Sequence, residues 1–261
     1  MPDAAPDDIA RAFDLRTSFT TFTRRCGGTN VRPMIDHAHD LACVRDATER
    51  LLTAVAELDN AALAEPSRLP GWTRGHVLAH LARNADALVN VLEGRPMYES
   101  GEARDADIER DAPRPLDAQL DDLRKSAARF QAAGDAPADW TRTVELRNGV
   151  TDVASRVPFR RWAEVDLHHV DLGIGYELED LPAEFVDREI DFLAQRFAGH
   201  KEVPPTGLTA GDGRIWTTGG GAEGGPVAVE GTAADLLGWL AGRRDGSGLT
   251  VNGPLPKLPP L

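Results

Sequence analysis

The strongest constraint on the fold is a helical spacing of apolar residues that recurs in four separate stretches of the chain. In the first stretch, Leu41, Val44, Leu51 and Val55 follow one another at intervals of three, seven and four residues, which places them on one face of a helix. The predicted helices span residues 34–63, 73–94, 117–133 and 157–173. Because each helix has one apolar face to bury, the sequence predicts a four-helix bundle.

The chain has a different pattern after residue 178. Short stretches typical of β-strands alternate with glycine-rich turns, and two further helical patterns accompany them. The predicted strands cover residues 207–210, 214–217, 226–230 and 249–251, and the predicted helices cover residues 182–199 and 232–241. We therefore expect fold class α + (α+β), with a bundle domain over residues 34–178 and a small C-terminal α+β domain over residues 179–261.

Residues 1–33 differ from both of these regions. They contain prolines, glycines and a polar run, with room for no more than a short helix. This composition predicts a disordered extension. Met34 directly precedes the first helical pattern, so a natural start at Met34 instead of Met1 is a hypothesis that the intact mass of the protein would test.

Charge and composition argue against several function classes. The chain has 29 Lys and Arg against 42 Asp and Glu, for a formal net charge of −13, and no basic cluster. Such a protein repels nucleic acid and anionic membranes. Two cysteines, Cys26 and Cys43, are too few for a disulfide framework or a thiolate zinc site, and no stretch approaches the ~18 apolar residues of a membrane span. We expect a cytoplasmic protein with no nucleic-acid or membrane partner.

Two pairs of polar residues lie on the predicted bundle helices at a spacing that metal sites use. His76 and His80 are four residues apart, as are Glu164 and His168, so each pair projects from neighbouring turns of one helix face. Glu164, His168 and one imidazole from a facing helix would give a ligand set of two histidines and one glutamate. Such a set leaves a fourth coordination position open, as catalytic zinc requires.

Three of these residues also have a purely structural interpretation. His76 can be a half-exposed histidine near the helix start, and His80 can be a histidine at the core edge that is bonded to a backbone carbonyl. Glu164 can pair with Arg160 or Arg161, which precede it by about one turn. Spacing alone leaves both interpretations open.

Three nearby features carry weaker signals. Asp171 follows His168 by three residues and can hold the second ring nitrogen of that histidine. Asn84 lies one turn beyond His80 and can face the same cavity. The acidic stretch 99–111 lacks the ligand pattern of a calcium loop, so we expect a solvated connection there.

Several separated motifs resemble those of a known family. They are LPGWTRGHVLAHLARNADAL at residues 69–88, MYES at 97–100, RDADIE at 104–109 and RWAEVDLHHVDLG at 161–173. In these motifs the chain is similar to the mycothiol-dependent maleylpyruvate isomerases, which belong to the DinB-like metal-binding four-helix bundles. The resemblance extends from about residue 34 to the C-terminus and excludes residues 1–33.

The resemblance implies a DinB-like N-terminal bundle and a set of site residues. The ligands that it implies for Zn2+, or for another divalent metal, are His80, Glu164 and His168. Residues 236–243, which read LLGWLAGR, resemble a segment of the family's second domain that ends in a catalytic arginine. That arginine falls on Arg243, with the adjacent Arg244 as the alternative.

The activity that the resemblance implies is the isomerisation of maleylpyruvate, or of a similar cis-enone dicarboxylate, to fumarylpyruvate. Mycothiol is then the thiol co-substrate, whose thiolate adds to the cis double bond and leaves after the new single bond has rotated. The alternatives are a mycothiol S-transferase of electrophiles, a non-catalytic metal-binding module, and a protein whose histidines only pack. The expected partners are the small-molecule substrate and mycothiol, and the expected assembly is a monomer or a small homo-oligomer.

Overall fold

The computed structural model describes residues 35–259 of the chain. The extension predicted for residues 1–33, the alternative start at Met34 and Cys26 lie outside the described residues. The described part begins with helices and ends with a small sheet, in the order that the sequence predicts. The domain boundary between residues 178 and 179 stays a prediction. None of the helices in this part of the chain combines the length and the apolarity needed to cross a membrane.

Four long helices form the predicted bundle. The α-helices are α1 (His37–Ala56), α2 (Asn60–Ala64), α3 (Arg74–Leu92), α4 (Gly101–Asp111), α5 (Leu116–Asp135), α6 (Val157–Asp171), α7 (Ala183–Arg196) and α8 (Ala233–Leu240). Helices α1 and α3 each pack against both α5 and α6. Buried residues of the shared core include Leu51, Val55, Leu78, Leu81, Phe130 and Val165. Burial of each of the larger side chains contributes about 1.5–3 kcal/mol to folding.

Helix α3 begins where the sequence predicts, because Thr73 caps it. The Thr73 hydroxyl accepts a hydrogen bond from the backbone N–H of His76, and the His76 imidazole accepts one from the backbone N–H of Thr73. This reciprocal arrangement satisfies two N–H groups at the helix start. It fixes the start of α3. It therefore also fixes the direction in which His80 projects, one turn after His76.

The first predicted helix, over residues 34–63, is interrupted in the structure. Helix α1 ends at Ala56, and the short α2 begins after Asp59, whose side chain accepts a hydrogen bond from the N–H of Ala62. Leu63 in α2 is still buried, so the apolar spacing continues across the break. Periodicity alone could not reveal the interruption, whereas an aspartate at a helix N-cap was the signal for it.

The prediction of a solvated connection over residues 99–111 is wrong, because this stretch contains helix α4. The hydroxyl of Ser100 caps the helix, and its buried residues are Ile108 and Asp111. A helix that is polar on almost every face shows no apolar periodicity. Helix α4 packs against α3 and brings Arg104 to the bundle, where that residue becomes part of the candidate site.

A short hairpin connects α5 and α6. Strand β1 (Thr143–Glu145) pairs antiparallel with β2 (Thr151–Val153), with Val144 opposite Asp152. The alternating pattern of residues 140–146 predicts one short strand in this region, but no pattern indicates its partner. The hairpin turn contains Asn148 at φ 60°, a left-handed conformation that asparagine tolerates better than most residues.

The C-terminal part of the chain contains a four-stranded sheet. Its strands are β3 (Thr206–Ala210), β4 (Ile215–Thr218), β5 (Val227–Gly231) and β6 (Thr250–Val251), in the sheet order β4-β3-β5-β6. Strands β3 and β5 are parallel, and the other two pairs are antiparallel. Helix α7 packs against α8 and β4. The structure thus confirms the predicted fold class, a four-helix bundle followed by a small α+β region.

Candidate metal centre

Helices α3 and α6 bring together the three side chains that the resemblance implies as metal ligands. His80 projects from α3, and Glu164 and His168 project from one face of α6. Nε2 of His80 lies 3.0 Å from Oε2 of Glu164, and Nε2 of His168 lies 3.3 Å from the same oxygen. One ligand atom from each side chain lies within 4.8 Å of those of the other two.

The geometry and the chemistry of these donors fit a divalent metal. Zinc bonds of about 2.0–2.2 Å in a tetrahedral arrangement put neighbouring ligand atoms about 3.3 Å apart. The distances from Glu164 to the two histidines are close to that separation. Two imidazole nitrogens and one carboxylate oxygen form a donor set that zinc binds with one position left open. The role of the three residues as metal ligands stays a prediction.

Burial keeps the His80 imidazole neutral. Removal from water, only partly offset by the hydrogen bond to Glu164, lowers the pKa of His80 to about 4. Nη2 of Arg104 donates to Nδ1 of His80 at 3.2 Å, and this bond assigns the ring proton to Nε2, which faces Glu164. A metal ion binds a neutral imidazole through its unprotonated nitrogen, so His80 need not lose a charge near pH 7. For Nε2 to bind a metal, the ring proton must move to Nδ1 and the contact with Arg104 must change.

A chain of polar contacts runs from the metal position to the C-terminal part of the molecule. Nδ1 of His168 lies 2.8 Å from Oδ2 of Asp171, whose side chain is fully buried. Arg243 donates to both oxygens of Asp171, from Nε at 3.2 Å and from Nη2 at 2.8 Å. A carboxylate behind a histidine fixes the orientation of its ring. Asp171 therefore directs Nε2 of His168 towards Glu164, as the sequence spacing suggested.

The two carboxylates of this chain of contacts stay charged. Burial acts to raise the pKa of Glu164, but hydrogen bonds from His168 and His80 outweigh it and hold the pKa well below its usual value. Burial likewise acts to raise the pKa of Asp171, and hydrogen bonds from His168 and Arg243 hold it low. Burial disfavours protonated His168, but the hydrogen bonds to Asp171 and Glu164 prevail and raise its pKa.

Glu164 pairs with neither of its neighbouring arginines. Nη2 of Arg160 instead lies 2.6 Å from a carboxylate oxygen of Asp152. Arg161 is buried and donates to the side-chain oxygen of Asn84 at 2.8 Å. Asn84 also lines a cavity at the site, as the sequence suggested. The carboxylate of Glu164 thus contacts the two histidines and neither of these arginines.

The other two histidines on these helices lie outside the cluster. His76 belongs to the α3 capping box, and its Nε2 lies 3.4 Å from the exposed side chain of Glu109. His169 is buried and stacks on Tyr176, with ring centroids 4.0 Å apart. On α6, the four-residue spacing thus puts His168, and not His169, beside Glu164.

Two cavities flank Glu164. We call the first, of about 290 Å³, the α7 lobe; residues that line it include His168, Glu189, Phe192, Leu193 and Arg243. We call the second, of about 260 Å³, the α4 lobe; residues that line it include His80, Asn84, Tyr98, Arg104 and Arg147. Both lobes are lined by Arg160, Glu164 and Arg196. The two lobes therefore adjoin at Glu164, and each of them is lined by one of the two histidines of the cluster.

Glu189 faces the α7 lobe, and no sequence motif pointed to it. The residue is 3% exposed, and its Oε2 has no hydrogen-bond partner among residues 35–259. Burial raises the pKa of Glu189 to about 8, against the opposing charges of Arg160 and Arg243. The available signal was an acidic residue on the apolar face of α7, between Val186 and Ile190 in the chain.

Replacing Glu189 with glutamine is expected to stabilise the metal-free protein increasingly as the pH rises. The folded pKa is about 8, whereas an unfolded glutamate has a pKa of about 4.3. Between these values unfolding releases a proton, so the wild-type protein loses stability as the pH rises. The advantage of Glu189→Gln is near zero at about pH 4 and reaches at most about 4 kcal/mol at pH 7.

Urea unfolding at the two pH values measures this difference. The exposed Glu49→Gln on α1 is the control, because Glu49 is accessible to water. A difference between Glu189→Gln and the wild type that does not change with pH contradicts the prediction.

Comparison with known protein families identifies the family of this chain. The family described as "Mycothiol maleylpyruvate isomerase N-terminal domain" matches residues 44–173, and the one described as "MDMPI C-terminal domain" matches residues 180–260. The chain belongs to the mycothiol maleylpyruvate isomerase family. This assignment confirms the resemblance that the sequence motifs indicated.

Two solved structures are similar to the chain over most of its length. A crystal structure of the mycothiol-dependent maleylpyruvate isomerase is 29% identical, with a TM-score of 0.78, and the match covers 86% of this chain and 97% of that chain. A crystal structure of a histidine-to-alanine mutant of the mycothiol-dependent maleylpyruvate isomerase is 28% identical, with the same TM-score and the same coverage. Among curated proteins, none matches the chain.

Proposed function

We propose that the protein is a zinc- and mycothiol-dependent isomerase that converts maleylpyruvate, or a similar cis-enone dicarboxylate, into the trans isomer. The observation that carries the proposal is the convergence of His80, Glu164 and His168 beside two cavity lobes. Membership of the mycothiol maleylpyruvate isomerase family supports the choice of reaction.

The three ligands determine the charge at the metal position. When bound, a zinc ion supplies an open coordination position at which a thiol loses its proton near neutral pH. Two neutral imidazoles and one carboxylate cancel only one of the two positive charges of such an ion. The ligand set of His80, Glu164 and His168 therefore favours an anionic sulfur over a neutral ligand.

The isomerisation itself needs no net proton transfer. A lone pair of the thiolate forms a bond to one carbon of the cis double bond, and the π electrons move onto the conjugated carbonyl oxygen. The former double bond is then single and rotates. The enolate electrons then re-form the carbon–carbon double bond while the carbon–sulfur bond breaks. The thiolate and the trans isomer are released. The role of the protein is to hold the thiol and the acidic substrate together and to stabilise the enolate oxygen.

We assign the stabilisation of this negative charge to Arg243. It lines the α7 lobe together with His168. Within the described residues, the guanidinium donates two N–H groups to Asp171 and one to the carbonyl of Ala241. A guanidinium carries five N–H groups, so two remain for an enolate or carboxylate oxygen in the lobe.

The direct test is an assay of zinc-loaded protein with maleylpyruvate and catalytic mycothiol. We expect loss of the cis isomer and formation of the trans isomer with no net consumption of thiol. Omission of mycothiol and removal of zinc by a chelator should each abolish the reaction. A stable thiol adduct formed in stoichiometric amounts would instead show an S-transferase, and no reaction of either kind would refute the proposed thiol chemistry.

A further inference from the structure

Arg196 is a cation without an acidic partner at the entrance to the candidate site. It is the last residue of α7, it is exposed, and it forms no salt bridge with any residue in the range 35–259. It lines both the α7 lobe and the α4 lobe. An unpaired guanidinium that borders two cavities can bind an anion in either of them.

Arg160 borders the same junction from the opposite helix. It lies on α6 one turn before Glu164, and both residues line both lobes. Its Nε and Nη2 donate to Asp152, which leaves Nη1 without a hydrogen-bond partner among the described residues. Its guanidinium carbon lies 4.9 Å from the centroid of the Phe192 ring. This cation–π contact restricts the orientation of the Arg160 guanidinium group.

The acidic groups of the α7 lobe do not neutralise these cations. Glu164 is engaged by the two histidines of the metal position. The other carboxyl group, Glu189, is buried with an oxygen that has no hydrogen-bond partner among residues 35–259, and at neutral pH it is mostly uncharged. Asp152 pairs with Arg160 from outside the lobe. Among the described residues at this junction, the positive charge without an acidic partner is therefore that of Arg196, in a chain whose formal net charge is −13.

We propose that Arg160 and Arg196 together bind one carboxylate group of the substrate at the junction of the two lobes. The inference rests on the proposed function for the identity of the acid, a small dicarboxylate. Arg160 and Glu164 are four residues apart on one helix, with Cβ atoms about 5–6 Å apart. Because both line both lobes, an anion bound at Arg160 in either lobe shares that lobe with Glu164. The pair thus positions the substrate and selects acidic substrates, whereas Arg243 acts on the charge that develops during the reaction.

The test compares Arg196→Gln and Arg160→Gln with Arg124→Gln in the zinc-loaded full-length protein. Arg124 is an exposed arginine on α5 that lines neither lobe, so its replacement changes the net charge equally. The probe is maleate, titrated calorimetrically without thiol. We expect the Kd of maleate to rise about tenfold or more in both site variants and to stay unchanged in Arg124→Gln. The KM for maleylpyruvate should rise in parallel while kcat changes little, and Arg196→Lys should recover part of the loss.

The outcomes separate this inference from the proposed function. If Arg196→Gln binds maleate as Arg124→Gln does, or loses kcat with an unchanged KM, the carboxylate anchor is wrong although the isomerase stands. If maleate binding weakens as expected but the wild-type protein does not isomerise maleylpyruvate, the anchor stands and the proposed function fails. Arg196 is exposed and unpaired in the described structure, so Arg196→Gln provides the test even if loss of the Asp152 contact unfolds Arg160→Gln.

Discussion

Replacing His80 with alanine is expected to remove stoichiometric zinc and to lower the isomerisation rate by more than about 100-fold. Loss of an outer-shell partner alone typically costs about 10–100-fold in metal affinity or activity, and His80 is a proposed direct ligand. The variant retains only Glu164 and His168, which lie on one helix, and loses the donor that α3 supplies. Metal content after dialysis and the rate of loss of the cis isomer measure the two effects.

His76→Ala is the matched control for that experiment. His76 lies on the same helix one turn earlier, and its imidazole bonds to Thr73 instead of facing Glu164. Its replacement should cost about 1 kcal/mol of stability through the weakened helix cap and should leave zinc binding intact. A His80→Ala protein that retains one zinc per chain would contradict the role of His80 as a ligand. A His76→Ala protein that loses zinc equally would show that loss of zinc does not report direct coordination by His80.

Replacing Arg243 with glutamine is expected to lower kcat by about 100- to 1,000-fold, the usual effect of removing one donor to a developing oxyanion. Arg243 lines the α7 lobe, and two of its N–H groups have no acceptor among the described residues. Its loss also leaves the buried Asp171 without a counter-ion, so zinc content must be measured alongside the rate.

Arg244→Gln resolves the choice between adjacent arginines. Arg244 pairs with Glu179 and Asp235 and lines neither lobe. Its replacement should reduce thermal stability slightly and leave kcat within a few-fold of the wild-type value. If Arg244→Gln loses activity while Arg243→Gln keeps it, the assignment of the two residues must be reversed.

Local patterns in the sequence were sufficient to identify only part of the histidine and glutamate cluster. A four-residue spacing on α6 specifies that Glu164 and His168 share a face, because helix geometry is local. That His80 meets them follows only from the bundle, which the apolar periodicity of the long helices predicts. The resemblance then selected His80 over His76, and the structure places His80, not His76, beside Glu164.

The surroundings of the cluster depend on contacts that no local pattern encodes. Arg104 reaches His80 because α4, whose polar surface hides its helical character, packs on α3. Arg196 and Glu189 join the site because side chains of α7 line the same lobe as residues of α6. In each case the sequence shows an ordinary charged residue on a helix. Each residue lines the cavity only because segments that are distant in the chain pack together.

Because Asp171 contacts Arg243, the helix bundle depends on a residue from the C-terminal part of the chain. The two residues are 72 positions apart in the chain, and the carboxylate is fully buried. A fragment that ends before Arg243 would retain every proposed ligand, yet burial without a counter-ion favours the protonated acid, which no longer orients His168 in the same way. Grafting the C-terminal region of a relative onto this bundle therefore succeeds only if the graft supplies a guanidinium at the same place.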